Sequence, residues 1–82
     1  MGKIDKLIER ARVAPNQVRF SDAVRLAEAH GFVHVRTRGS HTMFKRAGHP
    51  KLLNLQNDSG HVPAYQVRQL LAAIAVASSP ER

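Results

Sequence analysis

Apolar residues recur along this chain with two periods, and the switch between them sets out the elements. Ile4, Leu7, Ile8 and Ala11 fall at i, i+3, i+4 and i+7, which predicts an amphipathic helix over residues 2–14, ended by Pro15-Asn16. A second helix is predicted from Asp22 to His30. Ser21 is placed as its N-cap, Phe20 before it as a staple, and Gly31 as its stop. From Phe32 to Arg38 the period becomes two. Val33, Val35 and Thr37 are expected on one face, and His34, Arg36 and Arg38 on the other.

Gly39-Ser40 reads as a two-residue hairpin turn with glycine first, of the II′ kind. Arg38 then pairs with His41, and the faces carry across the turn. Thr42 and Phe44 join the apolar side, while His41, Met43 and Lys45 join the basic side. Residues 47–50 make a second turn. Residues 51–55 make a third strand that buries Leu53 and Leu55, and residues 57–60 a loop. The last helix opens near Pro63 and carries Val67, Leu70, Leu71 and Ile74, with a polar tail over residues 78–82. The order is α, α, β, β, β, α: an α+β chain whose meander offers one apolar face to the helices and one open face.

Charge changes what that open face means. The chain has 82 residues, which suggests one domain, and a net charge of +7. No Asp or Glu lies between Glu28 and Asp58, a span that holds Arg36, Arg38, Lys45, Arg46 and Lys51. Such a basic domain is expected to bind a polyanion or an acidic protein, or simply to carry a solvated basic surface. The absence of cysteine excludes disulfides, a thiolate zinc site and a cysteine nucleophile. No apolar run approaches the roughly 20 residues of a membrane span, and the charged N-terminus is unlike a secretory signal. A cytoplasmic location is expected.

The string GFVHVRTRGSHTMFKR then stands out. Gly31-Phe32, Arg36, Arg38, Gly39-Ser40-His41 and Phe44 resemble the signature of HicA toxins, the mRNA-cleaving partners in bacterial toxin–antitoxin pairs. The downstream PAYQVRQLLAAI and the upstream KIDKLIERA and PNQVRFSD resemble one branch of that family, so the likeness covers nearly all of residues 1–82. It implies a fold similar to a double-stranded-RNA-binding domain, a three-stranded antiparallel sheet backed by two helices, with residues 1–18 as an N-terminal helical extension. It also implies RNA cleavage through His41, and a HicB-like antitoxin as partner. Nothing catalytic is assigned to the extension.

Histidine suits such chemistry because both its protonation states are available near neutral pH. A neutral His41 can take the proton of a ribose 2′-hydroxyl, and neighbouring cations favour that neutral form while holding the phosphate. No metal or other cofactor is required. Single-stranded mRNA is expected to be held by Arg36, Arg38, Ser40, Lys45, Arg46 and His34. Lys45 or His34 is available to protonate the leaving oxygen. His30, His49 and His61 read as a helix-end residue and two exposed turn residues, and no histidine spacing suits zinc. Tyr65 is placed as packing the last helix rather than stacking a base. The alternative to a nuclease is a non-catalytic RNA-binding module of the same fold.

Overall fold

A computed structural model describes residues 2–78. Helix α1 spans Lys3–Val13, a short 3-10 turn Pro15–Gln17, helix α2 Phe20–Ala29, strands β1 Val33–Arg38, β2 His41–Arg46 and β3 His49–Gln56, and helix α3 Ala64–Ser78. The strands form one antiparallel sheet in the order β1-β2-β3. The α-β-β-β-α order with an added N-terminal helix is the double-stranded-RNA-binding-domain-like arrangement. The expected polar tail lies outside the described residues beyond Ser78.

The inner sheet face and the helices close on one core. Phe44 of β2 and Leu53 and Leu55 of β3 meet Ala23, Leu26 and Ala27 of α2 and Val67, Leu70 and Ile74 of α3. Ala11 of α1 is buried in the same cluster, with Ile4, Leu7 and Ile8 packed against it. The N-terminal stripe is therefore part of the hydrophobic layer. The helices lie over β3. No residue of β1 is buried. Val33 and Val35, expected inward, are 62% and 41% exposed: the register shift between His34 and Arg36 sets Val33 opposite Lys45, on the outer side, and leaves Val35 unpaired at the edge strand.

Helix α2 begins earlier than its sequence signals suggest. Arg19 is its N-cap residue, and no side chain caps it. Tertiary contacts decide this: the Phe20 N–H donates to the Gly60 carbonyl at 2.8 Å, and the Val62 N–H donates to the Val18 carbonyl at 3.0 Å. The loop after β3 thus fixes the chain at residues 18–20. Ser21 falls inside the first turn instead of capping it, and Phe20 is the first helical residue rather than a staple. The C-terminal stop is as expected. Gly31 has φ +90°, its N–H donates to Glu28 O at 3.2 Å, and the Phe32 N–H donates to Ala27 O at 3.0 Å. This Schellman closure satisfies the last carbonyls of α2 and turns the chain into β1.

A second departure matters more for the site. The β1–β2 register runs Arg38↔His41, Thr37↔Thr42 and Arg36↔Met43, then shifts to His34↔Phe44 and Val33↔Lys45. Val35 is the extra residue of a β-bulge, which breaks the alternation of sides. His34 therefore lies on the Phe44 side of the sheet, its ring edge-on to Phe44 with centroids 5.9 Å apart. It does not share the face of Arg36 and Arg38, as strict alternation predicts. Strand β3 also departs from a regular ladder between Phe44↔Leu53 and Arg46↔His49, where it accommodates Pro50.

Candidate nucleic-acid interface

The Gly39-Ser40 turn sets Arg38 opposite His41. Gly39 has φ +59° and Ser40 does not have a positive φ, as a glycine-first primed turn requires. The Ser40 carbonyl accepts the Asn57 N–H at 2.8 Å, so the turn is tied to the chain leaving β3. From this end the outer face reads in rows across the strands: Arg38, His41 and Gln56, then Arg36, Met43 and Asn54. Arg36, Arg38, His41, Met43 and Asn54 line one shallow open hollow of about 360 Å³. His41 is exposed and Met43 half-buried. The three strands contain no acidic residue, so the rim is uniformly cationic.

Within the hollow, His41 Nδ1 lies 3.4 Å from Asn54 Oδ1. Three of the other histidines have ring nitrogens engaged elsewhere. His30 Nδ1 meets Leu26 O, His49 Nδ1 meets Lys51 O, and His34 Nε2 meets Thr37 Oγ1, each at 2.8 Å. The His61 backbone bridges Arg19 and Asp58. Among the described residues, no group of three or more His, Asp or Glu side chains is placed to hold a metal ion.

The structure brings together only some of the residues named from sequence. Arg36, Arg38 and His41 converge. Lys45 stands on the same outer face opposite Val33, one row beyond the hollow, and Ser40 sits at the turn. Arg46 alternates to the inner face, where its Nε would lie 2.9 Å from a Cβ added at Gly31. It covers the C-terminal end of α2, a position suited to a cation. Tyr65 is 56% exposed, and its hydroxyl accepts from Gln66 Nε2 at 3.4 Å.

Two residues escaped sequence reasoning. Asn54 sits between Leu53 and Leu55, so its outward orientation was implied by the alternation, but its reach to His41 required the β2–β3 register. Gln66 is 1% exposed, and its Oε1 accepts the Gln56 N–H at 2.6 Å. A glutamine in the first turn of a helix carries no pattern that announces such burial.

The fold and face thus define a small basic α+β domain with a histidine and two arginines on an uncovered sheet. Residues 20–76 match the family model for the HicA toxin of bacterial toxin–antitoxin systems, and the chain belongs to that family. No curated protein matches it. No helix among the described residues is long and apolar enough to cross a membrane.

Proposed function

We propose that this HicA-family chain is a metal-independent endoribonuclease that cleaves single-stranded mRNA with His41 as general base. The observation that carries the reading is the meeting of His41 with Arg36 and Arg38 on an acid-free sheet face. RNA supplies its own nucleophile. His41 takes the 2′-hydroxyl proton, the 2′-oxygen attacks the adjacent phosphorus in line, and the P–O5′ bond breaks. The 5′-oxygen leaves with a proton, giving a 2′,3′-cyclic phosphate and a 5′-hydroxyl. Arg36 and Arg38 offset charge on the phosphoryl oxygens in the transition state. Of the two residues considered for protonating the leaving oxygen, Lys45 shares the face of His41, whereas His34 lies across the sheet.

Arg36, Arg38, Ser40 and Lys45 line the RNA path on the outer face. Arg46 and His34 reach RNA only where a strand wraps the β1 edge. The partner that restrains the enzyme is an acidic, HicB-like antitoxin in the bacterial cytoplasm, attracted by the same cations. The test is a 5′-labelled single-stranded RNA incubated with purified protein in EDTA, with the product ends analysed. Cyclic-phosphate fragments from wild type and none from His41→Ala are expected. RNA that is bound but never shortened by wild type gives the non-catalytic RNA-binding module instead.

A further inference from the structure

We infer that Asn54 is a positioning residue for His41: its carboxamide oxygen holds the imidazole in the Nδ1–H tautomer and so leaves Nε2 free to accept a proton. The inference deepens the proposed nuclease mechanism and rests on His41 being its base. An imidazole acting as a base uses a nitrogen lone pair, so its hydrogen must sit on the other nitrogen. A free histidine side chain favours hydrogen on Nε2, which is the wrong arrangement for a base that works through Nε2. An acceptor beside Nδ1 reverses that preference.

Asn54 Oδ1, 3.4 Å from Nδ1, is that acceptor. The contact is long, and hydrogen bonds of this kind shorten when substrate completes the site. No other lining side chain can replace it. Arg36 and Arg38 offer only donors, and the thioether of Met43 is a weak acceptor. Asn54 is also the better-held partner. It is half-buried between Leu53 and Leu55, opposite Met43 in the ladder, whereas His41 is exposed. The same logic operates where asparagine orients the histidine of Cys-His-Asn proteases. An uncharged amide has one further merit here: it orients the ring without placing a carboxylate against the phosphate that the arginines must hold.

The test uses the full chain and two variants. Long-range ¹H–¹⁵N correlations of the imidazole report the tautomer directly, with the His41 signals assigned by their loss in His41→Gln. The Nδ1–H form is expected to dominate the neutral ring in wild type and in Asn54→Asp, which keeps the acceptor and removes the amide donor. Asn54→Leu is expected to shift the ring toward the Nε2–H form. At saturating RNA, Asn54→Leu should lower the single-turnover cleavage rate about 10- to 100-fold, by analogy with the loss of a group that orients a metal-bound histidine, with KM little changed. An unchanged tautomer in folded Asn54→Leu overturns the inference, as does an unchanged cleavage rate for Asn54→Leu at saturating RNA. If wild type cleaves no RNA, the nuclease reading fails, and the tautomer measurement still decides whether Asn54 sets the state of His41.

Discussion

The Gln66 carboxamide oxygen accepts the backbone N–H of Gln56 at 2.6 Å, and Gln56 is the residue paired with His41 across β2 and β3. A buried side chain of α3 thereby secures the strand end behind the candidate site. Gln66→Leu keeps the volume and deletes the acceptor, leaving the Gln56 N–H unpaired. Leaving such a group unsatisfied costs about 1–3 kcal/mol. A urea titration should show the midpoint lowered with an unchanged m-value.

His41→Ala should reduce RNA cleavage at least ~10²-fold, the lower end of what one acid–base group contributes. The side chain is exposed, so little packing is lost. Circular dichroism and RNA affinity should stay close to wild type. Undiminished cleavage by the variant would remove His41 from the mechanism.

Salt dependence separates the two faces of the sheet. With Arg36, Arg38 and Lys45 each neutralising a phosphate, log K should fall with log[salt] at a slope near −2, taking about 0.7 per contact for a single strand. Arg38→Gln should flatten the slope by about 0.7. Arg46→Gln should leave it unchanged, since that side chain packs over Gly31. A flat dependence in wild type would mean the outer face is not where RNA binds.

Gly31→Ala should destabilise the fold by about 1–2 kcal/mol, the cost of putting a Cβ on a residue with positive φ. The φ of +90° is one cause. The other is the 2.9 Å approach to Arg46 Nε, which the flexible end of that side chain can relieve. The double variant with Arg46→Ala should therefore recover only part of the loss in thermal melts, the backbone part persisting.

The family match begins at residue 20, yet the core reaches into α1 through Ala11, Ile4, Leu7 and Ile8. A chain lacking residues 1–13 should lose about 3 kcal/mol or more. That is a partial share of the roughly 1.5–3 kcal/mol per fully buried aliphatic side chain, summed over three of them. Hydrogen exchange should then show faster opening of α2 and α3, the helices against which α1 packs.

The fold was legible where pattern and packing agree. The stripe of α1, the primed turn at Gly39-Ser40, the burial of Leu53 and Leu55 and the stop at Gly31 all follow from local chemistry. The misreadings share a cause: long-range contacts overrode local signals. Ser21 has the chemistry of a cap, but the backbone bonds from Phe20 to Gly60 and from Val62 to Val18 start the helix sooner. Alternation through β1 assumed no extra residue, and a bulge at Val35 has no marker in a run of valines, arginines and threonine. That one residue moved His34 away from the outer face. The face itself was readable from Arg36, Arg38, His41 and Met43, because all four lie on the turn side of the bulge. Asn54 and Gln66 depend on a register and a helix docking that only tertiary structure supplies.

The sheet comes before α3 in the chain, and that order has a temporal meaning during synthesis. Arg36, Arg38, His41 and Asn54 are all translated before Val67, Leu70 and Ile74, which back the sheet. A hairpin can close in about 1–10 μs, but a ribosome adding about 5–20 residues per second needs on the order of a second to reach the far side of the core. Through that interval the nascent chain already carries its outer-face residues, while Phe44 and Leu55 have α2 beside them but still lack the part of their cover that α3 supplies. The outer face therefore receives its full backing only when α3, the last of the described elements, has been made.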